Sequence, residues 1–319
     1  MNLLVVANHD GQQVDRASLS AVEFARQASG KDGLVQILLL GHQIDAVAEK
    51  AAHYAPVLCA DHEILGEPLA DRFAVIIAHA AKTSGTDIVV AASGSWAHDI
   101  VGRAAGLLGG TMVGNVTGHQ ILDGEILFQR LLYAGTVTAT VALRKYPGVV
   151  TMRGSAYPIA SKNPKPFPVT AVDLTNMEIS VRGSYQGLEA RSGDRPDPAD
   201  ARVIVSGGYA FKKAEDFERL VGGLADILGA AAGASRALVN VGGAPSEIQI
   251  GLTGKVVTPE LYLALGISGS IQHLAGMRNS QVIAAVNTDP NAPIFKAADY
   301  GLIGDVYQVI PELIEILSS

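Results

Sequence analysis

The residues best placed to do chemistry in this chain are turn residues and single polar side chains at the ends of apolar runs. The sharpest case is 261–276, LYLALGISGSIQHLAG. Leu261–Leu265 reads as a strand ending at Gly266, and Ile271–Ala275 as the opening turns of a helix. Gly266 and Gly269 permit a close backbone approach, while Ser268 or Ser270 can cap the helix or donate. Free N–H groups at such a turn suit a phosphate or pyrophosphate. An ordinary strand–helix turn with a serine cap fits the same spacing. Gln272 and His273 follow at once, and that histidine either serves a ligand carbonyl or fills a structural role. Asn287 closes a second apolar run, Val282–Val286, and Asp305 precedes a third within GLIGDVYQV. An amide or carboxylate there meets a phosphate or ribose, or merely closes a turn.

Other motifs narrow the chemistry. The segment 249–255, QIGLTGK, resembles a phosphate loop but lacks its first glycine, and Val256 stands where a magnesium-binding hydroxyl is required. Its glycines and Thr253 can still set N–H groups and a hydroxyl against a planar ligand. Ser235-Arg236 follows a run of small residues and offers a cation, which is otherwise an ordinary surface charge. No GxSxG, HExxH or CxxC occurs, and the eight histidines are scattered. A phosphate-friendly surface without nucleophile or base points to a bound cofactor that carries the reaction.

Composition sets the outer limits. The chain has 319 residues and a formal net charge of −7, without a basic run, which disfavours nucleic acid. Cys59 is the single cysteine, so no internal disulfide forms. No apolar run approaches the ~18 residues of a membrane span, and MNLLVVANHD reads as a first strand rather than a leader. These features lead us to expect a soluble, cytoplasmic protein.

The elements that must position these residues fall into two α/β domains. Short apolar strands at 2–7, Val35–Leu40, Pro56–Ala60 and Asp87–Ala92 alternate with helical stripes at Arg16–Ser29, Ile44–Ala52, Leu69–Ala80 and Trp96–Leu108. From Thr111 to Arg153 the pattern alternates and turns, with Asp123-Gly124 as a hairpin and antiparallel strands expected. Val169–Val181 reads as a last strand. Residues 183–200 combine glycine, proline and mixed charge, a linker pattern. The rhythm then restarts with a strand at Ala201–Ser206, a Gly207-Gly208 turn and a helix at Ala214–Leu228. We therefore expect an N-terminal mixed-sheet α/β domain (1–190), then a doubly wound parallel-sheet domain (201–319).

The C-terminal motifs are similar to those of the electron transfer flavoprotein alpha subunit family. The similarity runs through SGG (206–208), GASR (233–236), QIGLTGK, LYLALGISGSIQHLAG, IAAVN (283–287), APIFKAADYGLIGD (292–305) and PEL (311–313). Residues 1–200 match more loosely, through the first strand, YAG (133–135) and DRP (194–196).

The resemblance implies a heterodimer with a beta subunit and one FAD held largely by the second domain. The beta subunit would hold AMP or a second FAD. Electrons would come from acyl-CoA or related flavin dehydrogenases and pass to a quinone oxidoreductase or another acceptor.

By the same resemblance, Ser235 and Arg236 lie by the flavin, the guanidinium favouring its reduced anionic forms. Thr253 bonds in the N5/O4 region, with Ile250 and Gly251 lining it. Ser268, Gly269, Ser270 and Ile271 follow the pyrophosphate and ribityl path. Gln272 meets the ribityl chain and His273 the O2 edge. Asn287, Asp305 and Val306 serve the adenosine half.

Three positions depart from the family pattern: Tyr209 where arginine is common, Leu252 where glutamine is common, and Asn240 in place of an acid. They leave a second reading, a non-redox nucleotide-binding regulatory or structural subunit with a degenerate flavin site. We expect FAD to be retained.

Overall fold

The computed structural model describes every residue except 31, 123, 134–136, 176, 178, 180–182, 188–194, 200 and 319. Contacts divide the chain into two compact units, Met1–Leu188 and Glu189–Ser319.

The first unit begins with β1 (Leu3–Val6), α1 (Arg16–Ser29), β2 (Val35–Gly41), α2 (Asp45–Ala51), β3 (Val57–Asp61), α3 (Ala70–Thr83), β4 (Ile88–Ala92) and α4 (Ser95–Leu108). There follow β5 (Met112–Leu122), β6 (Glu125–Leu132), β7 (Val137–Ala142), β8 (Gly148–Met152) and β9 (Val169–Ala171). They form one sheet in the order β7-β6-β5-β8-β4-β1-β2-β3-β9. Strands β6 and β7 run antiparallel to their neighbours and the remaining pairs are parallel.

The four residues of β1 are all buried because both faces of the sheet are covered. Leu3 and Val5 pack with Phe24 of α1 and Val47 of α2. Leu4 and Val6 pack with Ile77 of α3 and Ile100 of α4.

The mixed sheet is the expected one, with one strand shortened. Among the described residues of the expected 169–181 strand, only Val169–Ala171 pair, and just beyond them Asp173 turns the chain by accepting the Thr175 amide at 3.0 Å. At the β5–β6 hairpin, Leu122 faces Glu125 and Gly124 has φ +81°. Asp123 itself, residues 134–135 of YAG and Asp194 of DRP lie outside the described residues.

The second unit runs β10 (Val203–Gly207), α5 (Ala214–Phe217), α6 (Gly223–Ile227), β11 (Ala231–Ser235), α7 (Arg236–Asn240), β12 (Gln249–Ile250), β13 (Leu261–Leu265), α8 (Ile271–Met277), β14 (Val282–Asn287), β15 (Tyr300–Ile303) and α9 (Val306–Ser318). Every strand pair is parallel, in the order β12-β11-β10-β13-β14-β15. By chain position this is 3-2-1-4-5-6, the dinucleotide-binding order, with its reversal between β10 and β13. Helices α6, α7 and α9 cover one face through Leu224, Leu238 and Ile310. Met277 of α8 packs with Ile204, Tyr262 and Ile283 on the other.

Two features depart from the sequence pattern. The expected 214–228 helix contains a π-helical turn, Glu218–Gly222, between α5 and α6. That turn ends where the Arg195 guanidinium lies against Gly222, so close that a Cβ would sit 2.7 Å from it. Strand β11 is AAGAS, small residues without a β signature. The site demands them: a Cβ on Gly233 would fall 2.4 Å from Ile250 Cδ1.

Candidate cofactor site

Ligands in open parallel sheets bind outside the carboxyl ends of the strands, at the point where strand order reverses. In the second unit that point lies between the ends of β10 and β13, and the chain is pinched there. Gly208 donates its N–H to the Leu265 carbonyl at 2.8 Å. A Cβ on Gly208 would lie 1.9 Å from the Gly266 oxygen, so only glycine allows this approach. Gly266 itself has φ +63°.

A cleft of about 680 Å³ opens here, within the usual range for small-molecule sites. Tyr209 contributes from the end of β10, Ser235 and Arg236 from the end of β11, Ile250 from β12, and Gly251, Leu252 and Thr253 from the loop after it. Ser268, Ser270, Gln272 and His273 come from the turn after β13 and the start of α8, Asn287 from the end of β14, Asp305 from the turn after β15 and Val306 from the start of α9.

Gly269 and Ile271 stand outside this lining. Gly269 packs against the backbone of Ile294, where a Cβ would lie 2.3 Å from the nitrogen, and Ile271 is exposed. Seven further lining residues, Ala210, Ala237, Gln249, Ile267, Thr288, Gly304 and Tyr307, were not singled out in the sequence. Gln249 and Tyr307 sat within motifs already singled out, but only the fold turns them toward the cleft.

Several polar groups on the wall are already engaged. Ser235 caps α7 by accepting the Leu238 amide at 3.4 Å, and Ser270 caps α8 by accepting the His273 amide at 3.4 Å. Asn287 donates to the Ile267 carbonyl at 2.9 Å and accepts from the Asp289 amide at 2.9 Å. One Asp305 oxygen accepts the Tyr307 amide at 2.9 Å. These contacts set the loops.

Arg236 and Thr253 are among the groups that remain to face a ligand. Arg236 is exposed and, among the described residues, makes no hydrogen bond or ion pair. Thr253 Oγ1 accepts from Gln249 Nε2 at 3.1 Å, which leaves its O–H free to donate. Tyr209 is 52% exposed, with the Lys212 ammonium 5.6 Å from its ring centre, a cation–π distance. An unpaired guanidinium, a free hydroxyl and glycine-pinched backbone at a strand-order reversal form the donor set that an anionic dinucleotide requires.

Comparison with known proteins decides which family this is. Residues 198–278 match the electron transfer flavoprotein FAD-binding domain, and residues 3–177 match the electron transfer flavoprotein domain. The chain belongs to the electron transfer flavoprotein alpha-subunit family. It is 40% identical to the mitochondrial electron transfer flavoprotein subunit alpha of Oryza sativa subsp. indica, over 99% of this chain and 90% of that protein. The mitochondrial counterpart of Arabidopsis thaliana is 37% identical, again over 99% and 90%. The electron transfer flavoprotein subunit alpha of Bradyrhizobium diazoefficiens is 40% identical, over 98% of this chain and 97% of its own.

The cytoplasmic expectation is corrected by this comparison, because the rice and Arabidopsis relatives are named mitochondrial proteins. Charge and cysteine usage report on solubility and redox chemistry, not on a cellular address. Among the described residues no helix is long and apolar enough to cross a membrane. The second unit is the FAD-binding domain of this family, and FAD is its cofactor. The match ends at 278, so Asn287, Asp305 and Val306 enter the site by geometry rather than by the match.

Proposed function

We infer that this chain is the alpha subunit of a heterodimeric electron carrier, with FAD in the cleft of the second unit. The supporting observation is that the unpaired Arg236 and the Thr253 hydroxyl line one dinucleotide-type cleft. FAD supplies one- and two-electron transfer, and no substrate bond is broken by protein side chains.

The side chains bind and tune. Arg236 attracts the anionic cofactor and favours charge that grows on the flavin ring during reduction. Thr253, whose hydroxyl keeps its hydrogen, would donate to the bound flavin. Ser268 and Gln272 line the path of the ribityl and pyrophosphate. Asp305 keeps one carboxylate oxygen for a ribose hydroxyl. Residues 1–190 form the partner-facing domain and 201–319 the cofactor domain.

The beta subunit holds AMP or a second FAD. Upstream stands an acyl-CoA-type or related flavin dehydrogenase, and downstream a quinone oxidoreductase or another acceptor. Absorption of the chain purified with its beta subunit tests the reading. Expected is a yellow complex with about one FAD in this subunit, bleached by anaerobic reductant and recovered on adding an electron acceptor. A colourless complex that refuses added FAD overturns the carrier and leaves the nucleotide-binding regulator, with Tyr209 and Leu252 marking a lost site.

A further inference from the structure

The cleft has two chemically different ends. Arg236 and Thr253 bring a charge and a hydroxyl from the side of β11 and β12. The loop after β10 is fastened to the opposite side, where β15 gives way to α9. Gly266 is wedged there, since a Cβ on it would lie 2.6 Å from Ala210 Cβ and 3.7 Å from Val306 Cγ1. The Tyr307 hydroxyl shares its one hydrogen between the Ala210 carbonyl and the Asp216 carboxylate, each 3.3 Å away. The Tyr307 ring lies 5.9 Å from that of Phe211. Tyr209, next in the chain to Ala210, therefore shares its end of the cleft with Asp305 and Tyr307, and all three line the wall.

That end suits a flat neutral ring and a sugar. The Lys212 ammonium lies over one face of the Tyr209 ring, 5.6 Å from its centre. Among the described residues no other aromatic ring packs against Tyr209, and its hydroxyl makes no hydrogen bond. The second face of the half-exposed ring is open in the cleft wall. Such a face gains by stacking a planar base, which covers apolar area and sets one π-face against another. Asp305 uses one oxygen for the Tyr307 amide and keeps the other for a sugar hydroxyl. The guanidinium end instead suits a ring on which charge grows during reduction. FAD, with a base and ribose in one half and a redox ring in the other, satisfies both ends.

We propose that Tyr209 is the adenine-stacking residue of the FAD site, its free ring face taking the base and so selecting the dinucleotide over a flavin mononucleotide. The proposal rests on the FAD reading above. The tyrosine that departs from the family pattern then serves the adenine half and does not mark a lost site. The ring carries the interaction, and its hydroxyl contributes little.

The test uses the heterodimer stripped of FAD and reloaded with FAD carrying ¹³C in its adenine, as wild type, Tyr209→Phe and Tyr209→Ala. A tyrosine ring stacked on the base moves the adenine H2 and H8 signals upfield. Expected are matching positions in wild type and Tyr209→Phe, both upfield of those in Tyr209→Ala. The FAD dissociation constant rises about ten-fold in Tyr209→Ala, the worth of one stacked base, and less than about two-fold in Tyr209→Phe. FMN, which lacks the adenylate half, binds wild type and Tyr209→Ala within about two-fold of each other.

Adenine signals that stay in place in Tyr209→Ala would overturn the proposal. So would a Tyr209→Phe variant as weak as Tyr209→Ala, which would make the hydroxyl the contact. FMN weakened as much as FAD would put the ring against the flavin instead. The adenine signals decide even if FMN binds too weakly to titrate. A wild type that takes up no FAD would sink the cofactor reading rather than the role of Tyr209.

Discussion

The two units share an architecture of parallel strands wrapped by helices, yet the polar residues at their strand ends behave differently. In the first unit several of those groups are tied to neighbouring backbone, although the buried Ser93 hydroxyl after β4 has no hydrogen-bond partner among the described residues. His9 Nε2 donates to the Leu40 carbonyl at 3.1 Å while its Nδ1 accepts the Gly11 amide. Both oxygens of Asp61 accept backbone amides, from Gln43 at 2.8 Å and Ile44 at 2.9 Å. Thr151 is shared between His98 and the Asn115 amide. In the second unit Arg236 is left unpaired, Thr253 keeps its hydrogen, and a 680 Å³ cleft stands open. A fold provides the place for a ligand, and the unpaired donors at that place decide whether it is used.

Two glycines put this contrast to its harshest test. A Cβ on Gly208 or on Gly110 would lie 1.9 Å from a backbone oxygen, that of Gly266 or of Pro147. Gly208→Ala and Gly110→Ala should each cost about 3 kcal/mol of stability, by overpacking against main chain. FAD retention should fall only in Gly208→Ala, because Gly208 forms the pinch of the cleft. Calorimetry with flavin analysis checks both.

Acid should strike the second unit through His273. Its pKa is about 4 when folded, against an ordinary 6.5. The unfolded chain therefore binds more protons across that interval. The contribution is complete above pH 6.5 and is lost as pH falls through about 4, roughly 3 kcal/mol at ~1.4 per pKa unit. Urea denaturation at stepped pH should show this slope, and His273→Asn should flatten it.

Arg236→Gln should weaken FAD binding about ten-fold by removing a charge-assisted bond, with the difference shrinking in salt. Fluorescence titration measures it. Arg195 holds Asp226 at 2.6 Å and Glu218 at 3.1 Å. Its replacement by alanine should cost about 1 kcal/mol, since the partners are largely exposed but the fork is bidentate. Leu252→Gln, at a side chain 56% exposed, should change stability by less than about 0.5 kcal/mol.

Much of this was legible in the chain. Helix α1 begins and ends where its apolar stripe places it, and the structure adds Asp15 as its cap, the carboxylate accepting the Ser18 amide. The β13–α8 turn was legible because Gly266 and the Ser270 cap are local requirements. Strand β11 was hidden, since AAGAS is shaped by Ile250 across the sheet rather than by β propensity. The Tyr262–His273 bond was hidden too. Within LYLALG the tyrosine reads as one more apolar strand residue, and only the crossing of β13 by α8 brings its hydroxyl to the ring. β15 escaped notice because its four residues form an exposed edge.

Hydrogen exchange of the heterodimer with and without FAD tests the contrast between the units most directly. Expected is FAD-dependent protection in 207–212, 249–255 and 266–273, with the loops at 8–15, 42–45 and 93–95 of this chain unchanged. Protection in those first-unit loops, with none in the second, would contradict the assignment of the cofactor to the open cleft.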